Sequence, residues 1–333
     1  MIIEKMRPDE IYSEILLLRE QCGAKFYLER YKSFVKVACP ACDEQTRVKF
    51  QFQKYGFKHY KCTNCNTLYV NPRPNEDDLL NYYSEYDAPK KWTEMLIKTN
   101  NERKKMQFLP KVEVLKDILN KELYINKNLF IDVGAGTGNF ARLIQDEKLF
   151  KNVVALDISE DCIKTCKQQK LDTQLGSIGD IEDDSADVLN MNDLLEHLFC
   201  PKEFLSTCYK KLNKNGIIMI GTPNGEGFDF KILKDKTENI TPPEHLQYFN
   251  PTSIKIFLED GGFQVVELLT PGILDVEIVR RQIKDNNFDL KSNNYFLDFL
   301  FTLGSKELLS SLQDFLTHNL LSSHMLVVAR KKG

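Results

Sequence analysis

Phe130-Ile131-Asp132-Val133-Gly134-Ala135-Gly136-Thr137-Gly138-Asn139-Phe140 decides how this chain is read. A short apolar run carrying one acid ends in three alternate glycines, and helical spacing follows over 140–147. Glycines that let the backbone turn sharply after a strand and enter a helix mark a ligand-binding edge in open α/β sheets. Outward from this stretch the texture repeats. Strands are expected at 152–157, 171–175, 186–191, 216–222, 263–269 and 325–329, with helices at 162–169, 201–212 and 252–260 between them. Gly216 and Gly261-Gly262 stop the last two helices. Such alternation predicts a largely parallel sheet with helices on both faces.

The glycine spacing excludes one ligand and suggests another. A dinucleotide fingerprint places glycines at i, i+2 and i+5, and the i+5 position here is Asn139. Gly134, Gly136 and Gly138 instead let the backbone lie flat against a ligand that has no diphosphate. Asp132, at the strand's end, can hold an ammonium group. Asp157 ends the next strand, where a carboxylate accepts both hydrogens of a ribose diol. An amine, a close backbone and a ribose are the parts of S-adenosylmethionine.

On these residues the chain resembles the class I S-adenosylmethionine-dependent methyltransferases, over about 128–270 plus the last strand. The stretch from Ala186-Asp187-Val188 to Glu196-His197 is similar to that family's fourth strand and the helix after it. Asn213-Lys214-Asn215-Gly216 with the apolar run to Pro223-Asn224 is similar to its fifth strand, and Gly261-Gly262-Phe263 to the entry of its sixth. The resemblance implies a Rossmann-like, seven-stranded sheet. It also implies that Ile158, Ser177 and Ile178 lie by the nucleoside and that Asn192 lies near the methionine end of the cofactor.

Upstream, four of nine cysteines form two hooks, Cys39-Pro-Ala-Cys42 and Cys62-Thr-Asn-Cys65, nineteen residues apart. Two C-x2-C turns aim four thiolates at one point and match a zinc ribbon, whose closed tetrahedral shell is structural. An iron–sulfur or redox reading is the alternative. Residues 48–53 alternate like a strand, so a hairpin between the hooks is expected. The organisation read from the sequence is a helical segment 1–38, a ribbon 39–75, a helical linker or lid 76–127, and a methyltransferase-like domain 128–333 with a helical insertion at 271–323. A long polar helix is expected near 93–121, with Arg103-Lys104-Lys105 on its wet face. A ribbon joined through Asn71-Pro72-Arg73-Pro74 and the pair Tyr82-Tyr83 is similar to the zinc-containing sugar C-methyltransferases. Those enzymes place a Glu-His pair after the fifth strand, and Glu244-His245 stands there in this chain.

Methyl transfer needs alignment and, for a weak nucleophile, a base. His245 is the expected base, with Glu244 acting beside it or orienting it. The alternative is that the pair caps a helix or docks its loop. His197 is expected to shape a pocket wall. Tyr82 and Tyr83 can close over a sulfonium, since an aromatic face attracts a cation, or can pack in the core.

The chain has 333 residues, 42% of them apolar and 28% charged, with 45 basic against 48 acidic side chains. That balance excludes a globally polycationic or polyanionic protein. No apolar run approaches the roughly twenty residues that span a bilayer, and Met1-Ile2-Ile3-Glu4-Lys5 is not an export signal. A cytoplasmic protein with no membrane partner is expected, its oligomeric state left open. The expected acceptor is a small molecule or saccharide. The alternative is RNA, bound by a ribbon in which six basic residues outnumber two acids and Phe50, Phe52, Tyr55, Phe57 and Tyr60 are interleaved. A third reading is a non-catalytic binding module.

Overall fold

The apolar runs expected to be strands form strands, and short ones join them. In the computed structural model, which describes residues 2–122, 124–285 and 295–333, they are β1 (Val48–Lys54), β2 (Phe57–Cys62), β3 (Leu68–Val70), β4 (Leu129–Val133), β5 (Asn152–Asp157), β6 (Asp172–Leu175), β7 (Ala186–Asn192), β8 (Leu212–Pro223), β9 (Gln247–Tyr248), β10 (Phe263–Leu269) and β11 (His324–Lys331). Two compact units use them. The first takes Met1–Met95, Pro223–Ile254 and Leu269–Met325, and the second Leu96–Thr222, Lys255–Leu268 and Leu326–Gly333. The cysteine-bearing residues 39–75 lie within the first unit, together with 223–254 and 269–325.

The second unit is built on a seven-stranded sheet of order β10-β11-β8-β7-β4-β5-β6. The pairs β4/β5, β5/β6, β4/β7 and β7/β8 are parallel. One face is sealed by alternate residues Phe130, Val153, Val188, Ile217, Met219, Leu326 and Val328. They pack with Val112, Leu115 and Ile118 of the helix Leu109–Lys121 and with Phe140 and Ile144 of the helix Asn139–Asp146. The intervening residues Ile131, Leu156, Leu189, Ile218 and Val327 are buried as well, so the strands are near-continuous apolar runs, as expected of a sheet covered on both faces. From β4 the chain builds outward through β5 and β6, then returns to β7 on the other side. That reversal leaves the topological switch point at the carboxyl ends of β4 and β7.

The long helix expected at 93–121 is interrupted. It runs as Asp87–Lys98, Asn100–Arg103, a π turn over Lys104–Phe108, and Leu109–Lys121. Arg103 is not on a wet face. It is buried, and its guanidinium donates to Thr99 Oγ1 at 3.0 Å and Gln107 Oε1 at 3.1 Å.

In the first unit β1-β2-β3-β9 form an antiparallel sheet. The β1–β2 hairpin closes through Tyr55 and Gly56, both at positive φ (52° and 95°), the geometry a tight two-residue turn requires. Strand β9 was not expected. It brings the 240s loop onto the ribbon, with Leu68 opposite Tyr248 and Tyr69 opposite Gln247. Arg73 donates to Gln247 Oε1 at 2.7 Å, and Asn250 donates to the Cys65 carbonyl at 3.0 Å. The expected insertion supplies the helices Asp275–Lys284, Tyr295–Leu303 and Lys306–His318; its residues 286–294 lie outside those described. No helix among the described residues is long and apolar enough to cross a membrane.

A buried ion pair ties the long N-terminal helix Asp9–Arg30 to the 240s loop. Arg19 donates to both oxygens of Glu244, at 3.2 and 2.7 Å, and lies over the ring of Trp92 at 4.4 Å from its centroid. Breaking such a pair strands a charge in the interior and costs about 3–5 kcal/mol, whereas replacing both partners by apolar groups is often neutral. Arg19→Ala should lower the urea midpoint followed by Trp92 fluorescence. Arg19→Met combined with Glu244→Leu should recover most of it. An unchanged midpoint in Arg19→Ala would remove the pair from the account of stability.

Candidate functional site

The turn after β4 is held open by backbone conformation. Gly134, Gly136 and Gly138 have φ of 68°, 54° and 76°, a region that L side chains enter with strain. Each glycine has its own role. A Cβ on Gly138 would lie 2.7 Å from Leu171 and 2.8 Å from the Cys166 sulfur, so packing also excludes it. A Cβ on Gly136 would meet nothing within 4 Å. That open space above a bare backbone is what a closely approaching ligand needs. The loop is fastened from behind: Cys166 Sγ donates to the Gly136 carbonyl at 3.3 Å, and the Gln169 amide donates to the Thr137 carbonyl.

Asp157 is joined directly to this turn. Its Oδ2 accepts from Gly136 N at 2.8 Å and its Oδ1 from Ser159 N at 2.9 Å. A carboxylate has about four acceptor sites, so capacity remains for a diol. Ile158 beside it is 67% exposed, an apolar side chain held in solvent. Ser177 caps the short turn Ile178–Asp180, its hydroxyl accepting from Gly179 N at 3.2 Å, and Ile178 is buried beneath it.

Asp132 lies in β4. It is 3% exposed, with Oδ1 accepting from Asn190 at 2.6 Å and Oδ2 from Ala141 N at 3.2 Å. Its carboxylate is thus bonded to β7 and to the first turn of the following helix. Burial pushes its pKa up to about 6.

At the carboxyl ends of β7 and β8, Lys111 and Glu196, to which the sequence assigns no role, join Asn192 and His197 in a polar cluster. Lys111 is buried and donates to Asn192 Oδ1 at 2.7 Å; burial lowers its pKa, against the pull of Asp193, Glu196 and Asp132. Its signal was a lysine one helical turn before Leu115, on the apolar stripe of its helix. Glu196 is 1% exposed and accepts from the Thr222 hydroxyl at 2.9 Å, with His197 Nε2 4.0 Å from its other oxygen. Burial, then the charge of Asp193, pushes the Glu196 pKa up to about 8.

In the first unit the four cysteines converge. Sγ separations are 3.5 Å for Cys39–Cys65, 3.7 Å for Cys42–Cys62 and 3.4 Å for Cys42–Cys65. The four lie within 4.8 Å of one another, and none is in a disulfide. His245 is partly buried, its Nδ1 3.2 Å from the Asn239 carbonyl and its ring against Tyr248. Glu244, expected to orient it, has its carboxylate on Arg19. Tyr82 is fully buried against Phe26 and Tyr86, which makes it core and not a lid. Tyr83 is partly exposed and donates to the Glu244 carbonyl at 3.2 Å. Of the ribbon's aromatics, Phe57 is buried with Phe26, Phe34 and Tyr27, while Phe50 is half exposed.

Glu196 makes a testable contribution to pH dependence. With its pKa pushed up to about 8, the folded protein holds this proton where the unfolded chain, titrating near 4.5, has released it. The folded state therefore binds more protons across that window, and the stability linked to Glu196 falls as pH rises through it. Glu196→Gln removes that loss. Its melting temperature relative to the wild type should be higher at about pH 8.5 than at about pH 5.5. A difference independent of pH would show that Glu196 is ionised throughout.

A family model described as a methyltransferase domain matches residues 99–268, just over half of the chain. A probable S-adenosylmethionine-dependent methyltransferase of Mycolicibacterium smegmatis is 28% identical over 143 residues, covering 42% of this chain and 53% of that protein. The mitochondrial ubiquinone biosynthesis O-methyltransferase of Saccharomyces cerevisiae is 27% identical over 190 residues, covering 49% of this chain and 60% of that protein. The chain thus spans little more than half the length of these relatives. A solved S-adenosylmethionine-dependent methyltransferase from Archaeoglobus fulgidus aligns with a TM-score of 0.41 at 21% identity, over 66% of this chain and 94% of that one. On the family match, and with the strand order described above, the chain belongs to the class I S-adenosylmethionine-dependent methyltransferase family.

Proposed function

We propose that the protein transfers a methyl group from S-adenosylmethionine to a small-molecule or saccharide acceptor, and that its ribbon holds a structural zinc ion. The observation that carries the first half is the open turn at Gly136 joined to Asp157: a bare backbone with space above it, hydrogen-bonded to a carboxylate with acceptor sites to spare. Asp157 would take the ribose, Ile158 and Ile178 the adenine, and Gly134 to Gly138 the main body of the cofactor. Asp132 would act from below by fixing Asn190 and the helix that follows the glycines. Lys111 would set the direction of Asn192 at the methionine end. S-adenosylmethionine supplies an electrophilic methyl on a sulfonium, and the chain's task is to align an acceptor and remove its proton.

His245 is our assignment for that proton transfer. With Nδ1–H donated to the Asn239 carbonyl, the ring is fixed and Nε2 is the basic nitrogen. This tautomer is inferred from the bond. Glu244, engaged by Arg19, anchors the loop that carries the imidazole and is assigned no proton of its own.

Titrating the purified protein with S-adenosylmethionine by calorimetry should reveal a saturable site. Asp157→Ala should weaken it by about 1.5–3 kcal/mol, the usual loss for charge-assisted hydrogen bonds. His245→Ala should bind the cofactor as the wild type does and lose about 10²–10⁴ in turnover with an acceptor. Unchanged cofactor affinity in Asp157→Ala would overturn the ribose assignment.

The donor set fits zinc. Tetrahedral Zn–S bonds of about 2.3 Å place sulfurs ~3.8 Å apart, slightly beyond the separations seen here. One zinc per chain should copurify by elemental analysis, and Cys62→Ser should lose it. Full occupancy after replacing both Cys39 and Cys62 would refute the site.

A further inference from the structure

We propose that a pocket in the first unit, between the ribbon hairpin and the helix Phe228–Leu233, binds a sugar phosphate: a phosphomonoester carried on a small polar ring. The pocket is about 260 Å³. Drug-sized ligands occupy roughly 300–1,000 Å³, so this one suits a ligand no larger than a monosaccharide derivative.

Its floor is the open end of an apolar cluster formed by Leu68, Phe230 and Ile240, with Phe52 packed against it. Of these, Phe230 and Phe52 carry flat apolar rings. Gln51 and Asn66 also line this space; Gln51 Nε2 donates to the Lys49 and Phe50 carbonyls, and the Asn66 carboxamide is suited to ring hydroxyls.

The rim is cationic. Lys61, Lys231 and Lys234 line the pocket. Lys61 and Lys231 both donate to Glu226 Oε1 at 2.7 Å, so two ammonium groups already converge on one anionic oxygen. Three lysines against that one carboxylate leave two positive charges. A phosphomonoester carries about −1.5 to −2 at neutral pH and matches them, whereas each phosphodiester of a nucleic acid carries one negative charge.

The positions of these groups are fixed by the backbone. Lys61 precedes Cys62, and Asn66 follows Cys65. The Asn66 N–H donates to the Cys62 carbonyl at 2.9 Å, and its φ is 62°, so the second cysteine hook forms one wall. On the opposite side Lys234 is held at φ 54° and ψ −122°, outside the regions comfortable for a residue with a Cβ. Such strain persists where surrounding structure enforces it and marks sites of function. Here it holds an exposed lysine at the lip of the pocket. The ribbon thereby becomes a recognition element as well as a metal-stapled fold.

The inference goes beyond methyl transfer and is tested without the cofactor. Calorimetry on the full chain uses glucose 1-phosphate, inorganic phosphate and glucose as probes. Glucose 1-phosphate should saturate one site, bind more tightly than inorganic phosphate and weaken as salt is raised; glucose should give no measurable heat. Lys231→Gln with Lys234→Gln should weaken glucose 1-phosphate by about tenfold or more. Lys234→Gln alone, at an exposed position, should move affinity in the same direction with an unchanged circular dichroism spectrum. No saturable heat from glucose 1-phosphate, or equal affinity in the folded variants, overturns the pocket assignment. Equal affinity for inorganic phosphate overturns its sugar half.

Discussion

The backbone turn from Gly134 to Gly138 is the constraint on which the second unit depends. Three left-handed residues in five take the chain out of β4 and into a helix whose first turn also meets Asp132. That sharp reversal leaves amide groups and open space at the carboxyl end of the central strand, at the point where the strand order reverses. The acids on either side divide the labour. Asp132 faces inward and couples the helix to Asn190 of β7. Asp157 faces the turn and binds Gly136 N. One carboxylate is enclosed and the other partly exposed, a difference of burial rather than of residue type.

The first unit is organised around the ribbon. The two-residue strand β9 completes the ribbon sheet, Arg73 and Asn250 add side-chain bonds across it, and Arg19 neutralises Glu244 in the same loop. His245 is therefore carried on a segment secured at several points. The hook between Cys62 and Cys65 likewise does more than gather sulfur, since its flanking residues form part of a cationic pocket.

Much of this was legible because it is local. The glycine spacing, the alternating apolar runs and the two cysteine hooks each lie within a short window, and all form the elements expected of them. The failures are non-local or depend on burial. Arg19 and Glu244 are 225 residues apart, and nothing in either segment names the other. Strand β9 is two residues long, below what alternation can reveal. Nothing in the sequence around Tyr82 or Asp132 reveals that both side chains are buried. The basic neighbours of Arg103 suggest a solvated side chain, yet Thr99 and Gln107, four residues to either side, bond it inside. Lys111 did leave a trace, a charge on an apolar helical stripe, but one lysine at helical spacing is usually a solvated side chain.

The central claim is that the Gly134–Gly138 turn and Asp157 form an adenosyl cofactor site. The most direct measurement is a crystal structure with S-adenosylhomocysteine. The account predicts ribose hydroxyls within about 2.6–3.0 Å of the Asp157 carboxylate, with the cofactor lying over Gly136. Density for the ligand elsewhere, with solvent at Asp157 and an empty space above Gly136, would contradict it.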